Sequence, residues 1–292
     1  MTSDIRSTTQ PPVMTDPNVP DWVNLSLPET WADRLCFRSV AGLLKFARLV
    51  LGKPQKVQVD SSDPLFADIP KYALQEFHNL PNGNYSSQIS RGYITGFDVS
   101  MLGQIQAARR AMAQRVAHCN AVLDIGTGGG KLAAQVRAAG PRDVWGIDVS
   151  PYLLKHAAAD HPGVSYLQAP AEAMPFASGR FDGIVACFLF HELPPKYAAQ
   201  ALAECHRVLR PGGQLLIAEP SENQLQRVRL RSLLRRSGWR HLYFKTLARF
   251  VHEPFVMAWH KTDKPALFAR SGFTLLEHTD EIPVNFYALR KD

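Results

Sequence analysis

The sequence predicts an α/β protein in which a doubly wound parallel sheet follows a helical extension and carries a helical insertion near its end. Three observations predict this class. After residue 120, short apolar strands alternate with helices; the first strand runs into a glycine-rich turn; and the apolar residues before it recur mainly at helical spacing. Such alternation builds a parallel sheet with helices on both faces.

Composition divides the chain into three regions. Residues 1–20 consist largely of Thr, Ser, Pro and Asp, and a segment with so little to bury is expected to be a disordered arm. Residues 21–117 predict a helical cap, with an amphipathic helix within 22–51 and a last helix at about 99–116. Residues 118–292 would form the domain that contains the sheet.

The third region contains the predicted strands and the helices between them. The strands lie at 121–125, 144–148, 164–168, 183–188 and 214–219, and the helices at 132–139, 151–159 and 198–209. A closing pair near 273–277 and 285–289 brings the expected number of strands to seven.

The segment 222–261, between the fifth strand and this pair, is strongly basic. It has nine Lys or Arg against two Glu, and this balance of +7 equals the net charge of the whole chain. Apolar residues interleave with the basic ones, which predicts an amphipathic basic insertion. A membrane surface, an acidic ligand or nucleic acid would each match it. Of these partners, we favour a membrane surface, contacted peripherally, over nucleic acid. The alternative without a binding partner is a solvated face over a substrate lid.

Overall composition sets further expectations. The 292 residues are 46% hydrophobic and 20% charged, and their four cysteines form no C-x-x-C pair. This favours a globular protein over a disordered one, without a zinc site or a disulfide framework. No apolar run reaches the roughly 18 to 20 residues that span a bilayer, and the N-terminus has no signal-peptide pattern. We therefore expect a cytoplasmic protein without a metal centre.

The strongest chemical signal is the glycine-rich turn after the first strand. It comprises Asp124, Gly126, Thr127, Gly128 and Gly130. A strand that runs through glycines into a helix lets the backbone approach a ligand closely, with the helix N-terminus facing polar groups. The next strand ends at Asp148, where a carboxylate can accept hydrogen bonds from both hydroxyls of a ribose. The pattern predicts a nucleotide or cofactor site.

Single residues argue against two other kinds of glycine-rich loop, the dinucleotide-binding loop and the phosphate-binding P-loop. Lys131 stands where the fingerprint of dinucleotide-binding proteins has its third glycine. Leu132 follows Lys131, whereas a phosphate-binding P-loop needs Ser or Thr there.

Over about residues 118–220 the chain resembles the class I S-adenosylmethionine-dependent methyltransferases. The matching segments are Val122 to Leu132, Val144 to Ser150, Ala171 to Phe176, Phe181 to Val185 and Arg207 to Leu215. The resemblance implies a Rossmann-like sheet with S-adenosylmethionine as cofactor. Within this family, the chain is most similar to the methyltransferase type 11 and quinone-type small-molecule enzymes.

The resemblance also implies roles for residues. Asp124 and the glycine turn would hold the methionine end of the cofactor, Asp148 with Val149 its ribose, and Ala171 with Glu172 its adenine. Pro170 stands where many relatives have an adenine-binding Asp, so that contact must come from elsewhere.

Four residues outside these motifs complete the predicted site. Cys187 lies near the end of the predicted fourth strand, at the cofactor edge, and a packed strand residue is its plain alternative. His191 is a candidate catalytic base because the pKa of histidine lies near neutrality, although a structural histidine is common there in the family. In this family the N-terminal segment folds over the cofactor cleft, so Tyr85 and Arg91 are candidates for contact with the cofactor's carboxylate or for a lid; an ordinary packed loop is the alternative.

The expected activity is methyl transfer to a small, aromatic or lipophilic acceptor, at carbon or oxygen. The segment after the fourth strand lacks the Asn/Asp-Pro-Pro-aromatic motif of enzymes that methylate base amino groups. An RNA methyltransferase that uses the basic segment is one alternative, and a non-methylating protein on the same fold is another. Oligomeric state is left open.

Overall fold

A seven-stranded mixed sheet forms the centre of the computed structural model, which describes residues 16–228 and 236–292. Its strand order is β3-β2-β1-β4-β5-β7-β6. The strands are β1 (Ala121–Ile125), β2 (Asp143–Asp148), β3 (Ser165–Gln168), β4 (Phe181–Cys187), β5 (Leu209–Pro220), β6 (Phe273–Glu281) and β7 (Val284–Lys291). The first five pair in parallel, and β7 runs antiparallel to β5 and β6. The predicted Rossmann-like sheet is confirmed.

Helices precede the sheet, connect its strands and form the late insertion. They are α1 (Val40–Val50), α2 (Pro64–Ala67), α3 (Ser87–Ser100), α4 (Gln104–Arg115), α5 (Lys131–Ala139), α6 (Pro151–Asp160), α7 (Pro195–Val208), α8 (Arg236–Phe250), α9 (Val256–Lys261) and α10 (Lys264–Arg270). Most of the predicted arm 1–20 and the stretch 229–235 of the basic segment lie outside the described residues.

Two predicted helices are wrong in extent. The helix expected within 22–51 is confined to α1, because Ser39 caps its N-terminus by accepting a hydrogen bond from the Gly42 N–H. The helix expected at 99–116 is present as α4 but begins only at Gln104, because residues 99 and 100 end α3. The chain breaks between the two helices at Leu102 and Gly103, whose φ angles of 50° and 75° are left-handed.

The cap shares its core with the sheet. Trp22 is buried in the same apolar cluster as Met112 of α4 and Val122 of β1, and its indole Nε1 donates to the Tyr166 carbonyl at 2.8 Å. Burial of a large aromatic side chain is strongly stabilising, so this contact fixes the cap to the sheet. Among the described residues, no helix is long and apolar enough to cross a membrane.

Candidate functional site

Asp124, at the end of β1, shapes the glycine-rich turn from inside the protein. Its buried carboxylate accepts from the Thr127 hydroxyl at 2.7 Å and from the Ala133 N–H at 3.0 Å. Burial raises the pKa of Asp124 to about 7. The side chain therefore joins the turn to α5.

Asp148, at the end of β2, holds the same turn from the other side. It accepts from the Gly128 N–H at 2.9 Å and from the Ser150 N–H at 2.9 Å. Burial raises the pKa of Asp148 above its usual value. Because the ends of adjacent parallel strands meet at one edge of the sheet, the two carboxylates flank one opening.

The opening is a cleft over the carboxyl ends of β1, β2 and β4, which we call the glycine-loop cleft. Nine of the predicted residues line it: Tyr85, Asp124, Gly126, Thr127, Gly128, Asp148, Val149, Ala171 and Cys187. A Cβ atom on Gly128 would meet no atom within 4 Å, so the turn faces free space. Asn84 Oδ1 and Tyr85 Oη are buried at this cleft without hydrogen-bond partners among the described residues. Such atoms fit a polar ligand.

Three of the predicted cofactor residues lie elsewhere. Gly130 caps α5 with a φ of 75°, and a side chain there would overlap the Tyr166 hydroxyl, so this glycine serves packing. Glu172 accepts a hydrogen bond of 2.8 Å from the Tyr72 hydroxyl, and Tyr72 rather than Glu172 lines the cleft. Arg91 is 48% exposed and pairs with Asp160 of α6.

An arginine that the sequence did not single out, Arg109 of α4, lies at the cleft where Arg91 does not. It lines the glycine-loop cleft, its side chain is 11% exposed, and it pairs with Asp98 at 2.6 Å. Lys131 binds the other oxygen of Asp98 at 2.6 Å, which leaves the three side chains with a net positive charge. Arg109 sits in a helix with several other polar residues, so no local pattern distinguishes it.

His191, the predicted base, is fully buried in the turn after β4. Its Nδ1 lies 2.6 Å from Oε2 of Glu219, a fully buried residue of β5. Burial opposes the charged ring, but the carboxylates of Glu219 and Glu253 outweigh it and raise the pKa of His191 well above its usual value. His191 lines neither the glycine-loop cleft nor the cavity beside it, and its catalytic role stays a prediction.

Two residues that the sequence did not indicate, His78 and Glu253, lie beside His191. Glu253 Oε1 is 3.5 Å from His191 Nε2 and 3.5 Å from His78 Nε2, and Glu192 Oε1 is 3.2 Å from His78 Nε2. Because residues 78, 191 and 253 are far apart in the sequence, no spacing could have shown them as a group. His78 has a left-handed φ of 58°, a conformation that costs free energy in a residue with a side chain.

An apolar cavity of about 480 Å³ adjoins the glycine-loop cleft. Its wall includes Phe37, Phe46, Ile89, Met101, Phe244 and Leu247, and His78 and Glu253 supply polar groups. Tyr93, Phe97 and Phe188 line both spaces, so the two meet at these rings. Phe188 has a φ of 62°, and strain of this kind clusters at functional sites.

Comparisons with known proteins agree with this geometry. A family model described as a methyltransferase domain matches residues 123–217. An uncharacterized methyltransferase of Synechocystis is 32% identical over 158 residues, which are 53% of this chain and 67% of that protein. A demethylmenaquinone methyltransferase of Chlorobaculum tepidum is 39% identical over 102 residues, 34% of this chain and 40% of that protein. The chain thus spans two thirds of the first relative and two fifths of the second.

An S-adenosylmethionine-dependent methyltransferase from Mesorhizobium loti is 20% identical, with a TM-score of 0.47 over 63% of this chain and 96% of that chain.

Matched variants can test whether Arg109, rather than Arg91, binds the cofactor. We predict that Arg109→Met weakens binding of S-adenosylhomocysteine about 10- to 100-fold, because a buried hydrogen bond to a charged group contributes about 1.5 to 3 kcal/mol. Arg91→Met should leave the affinity unchanged, since its ion pair lies at the surface. Calorimetric titration gives both affinities, and thermal unfolding verifies that both variants are folded. Equal affinities of the two variants would refute the assignment.

Proposed function

The chain belongs to the class I S-adenosylmethionine-dependent methyltransferases, and on this premise we propose that it methylates a small, apolar aromatic acceptor bearing a hydroxyl group. The observation that carries the proposal is the apolar cavity, which shares Tyr93, Phe97 and Phe188 with the glycine-loop cleft. A ligand of mostly apolar surface gains free energy by leaving water for such a cavity. The rings between the two spaces are where acceptor and methyl donor would meet.

The residues of the cleft fit the cofactor of this family. When bound, S-adenosylmethionine supplies a methyl group already activated by its positively charged sulfur. Arg109 would hold the cofactor's carboxylate, and Asp148 the ribose hydroxyls. Asn84 and Tyr85 offer buried polar atoms that lack partners among the described residues. The chain's main task is then to align the acceptor and exclude water, because alignment alone supplies a large part of such an acceleration.

Two glycines of α3 support a ligand role for the apolar cavity. Gly92 and Gly96 are one helical turn apart, both line the cavity, and a Cβ on either would meet no atom within 4 Å. Glycine inside a helix costs about 1 kcal/mol relative to alanine. Helix stability alone would favour alanine at both positions. The two glycines therefore keep this side of the cavity open, as ligand binding would require.

The polar end of the cavity supports the hydroxyl group in the proposal. His78 and Glu253 are the residues of its lining that can carry a charge near neutral pH, and they can bind a hydroxyl in a largely apolar space. The Chlorobaculum relative is named for demethylmenaquinone. A hydroxylated aromatic ring of quinol type is therefore the acceptor class that we propose.

Filling the cavity tests this assignment without touching the cofactor cleft. We predict that Gly96→Leu weakens binding of 2-naphthol, a fluorescent hydroxylated aromatic, about tenfold or more because the side chain takes the ligand's space. Thr95→Leu, on the same helix but outside the cavity lining, is the control and should bind the probe as wild type does. Fluorescence titration in the presence of S-adenosylhomocysteine measures both. Unchanged binding in Gly96→Leu would contradict the proposal.

We further propose that the acceptor arrives from an anionic membrane surface. Both α1 and α8 contribute to the cavity, and both expose apolar side chains, Leu44 being 55% and Trp239 62% exposed. Residues 34–59 contain six basic and no acidic residues, and α8 contains four basic and none acidic. Exposed apolar groups among basic ones are typical of helices that lie on anionic bilayers.

Charge reversal on both helices tests the membrane contact. We predict that the double variant Arg48→Glu, Arg249→Glu loses at least about 30-fold in affinity for phosphatidylcholine vesicles containing phosphatidylglycerol, at about 1 kcal/mol per basic residue. Arg142→Glu with Lys196→Glu changes the net charge equally but outside both helices, and should bind as wild type does. Sedimentation with vesicles measures the affinity. Equal loss in the two variants, or binding of RNA but not of vesicles, would contradict the proposal.

A further inference from the structure

Two histidines and a glutamate bring their side-chain ends together where the apolar cavity meets the turn after β4. One ligand atom each from His78, His191 and Glu253 lies within 4.8 Å of the other two. Glu253 Oε1 is 3.5 Å from Nε2 of either histidine. Ligands of a tetrahedral Zn²⁺ lie about 2.0 to 2.2 Å from the ion and hence about 3.4 Å from one another. The two separations from Glu253 match that spacing.

The surroundings of His191 match those of a metal-binding histidine. Its Nδ1 lies 2.6 Å from the Glu219 carboxylate, so Nδ1–H donates to it. A metal ion that displaces the Nε2 proton would meet a lone pair directed at the cluster. Histidines that bind metals usually donate their other ring nitrogen to a carboxylate in this way. His191 Nε2 is fully buried, and among the described residues it has no hydrogen-bond partner of good geometry. A buried polar atom without a partner calls for a ligand.

The backbone around His78 is held so that it faces Glu253. The His78 N–H donates to the His252 carbonyl at 3.0 Å. Asn79 accepts from the His252 N–H at 2.8 Å through its side-chain oxygen. These bonds bring a strained turn of the cap against the end of α8, and they place the His78 ring next to the Glu253 carboxylate. Strain held by surrounding contacts is a feature of preorganised sites.

We propose that His78, His191 and Glu253 bind one divalent transition-metal ion of the Zn²⁺ class. Two imidazole nitrogens and one carboxylate oxygen are a donor set that Zn²⁺ accepts, and three protein ligands leave a fourth position open. His78 and Glu253 line the apolar cavity, so that position faces the space for the acceptor. Glu192, 3.2 Å from His78 Nε2, adds a second carboxylate that balances the charge of the ion. That the open position receives the acceptor's hydroxyl oxygen rests on the proposed function; the metal site itself does not.

The test is metal binding by the full chain, measured apart from any methyl transfer. Protein stripped with a chelator is titrated with Zn²⁺ in a calorimeter against a competing chelator, and Co²⁺ is added separately to record its visible absorption. We expect one Zn²⁺ per chain and a Co²⁺ spectrum of a tetrahedral site with nitrogen and oxygen ligands. His78→Ala and Glu253→Gln should each lose at least about 10- to 100-fold in affinity, the loss that even outer partners of metal ligands cause.

The control is His156→Ala, which removes a histidine of α6 that binds the Ser87 carbonyl away from the cluster; it should keep the wild-type affinity. Circular dichroism verifies that each variant is folded. Absence of stoichiometric Zn²⁺ binding by wild type would overturn the proposal. So would binding that survives in both His78→Ala and Glu253→Gln. Because S-adenosylhomocysteine binding is titrated separately, failure of the metal site and failure of the methyltransferase assignment give different results.

Discussion

The buried carboxylate of Glu219 is the contact on which the geometry between the two spaces depends. It accepts hydrogen bonds from the backbone N–H groups of Leu189, Phe190 and His191, at 3.0, 2.8 and 3.2 Å, and pairs with the His191 ring. A fully buried carboxylate is tolerated only when its oxygens are satisfied in this way. The turn after β4 is therefore held to the end of β5 by one side chain. That turn positions Phe188 between the two spaces and places Glu192 beside the cleft.

The cap and the late insertion complete the site that the sheet begins. The sheet supplies the edge at which Asp124 and Asp148 meet, and α4 of the cap brings Arg109 to the cleft. The insertion adds Glu253 and most of one wall of the apolar cavity. Asn79 joins the two regions, since its side chain bonds to both Phe250 and His252. Neither region alone forms the apolar cavity, so on the proposed function the acceptor would be selected by segments outside the sheet.

The sequence predicted what depends on local pattern and missed what depends on long-range packing. Strand and helix alternation, the glycine turn and Asp148 are local signals, and each led to the correct part of the fold. The sequence could not show that Arg109 rather than Arg91 faces the cleft, because this depends on the break at Gly103 between α3 and α4. His78 and Glu253 meet only in the folded chain, and the expectation of no metal centre came from cysteine spacing alone.

The central claim is that the glycine-loop cleft binds S-adenosylmethionine and not another nucleotide cofactor. Calorimetric titration of the purified chain with S-adenosylmethionine, S-adenosylhomocysteine and NAD tests it most directly. The structure predicts saturable binding of the first two with one site per chain, and no binding of NAD, because Lys131 and the turn before it leave no dinucleotide fingerprint. Binding of NAD, or of neither sulfur compound, would contradict the account.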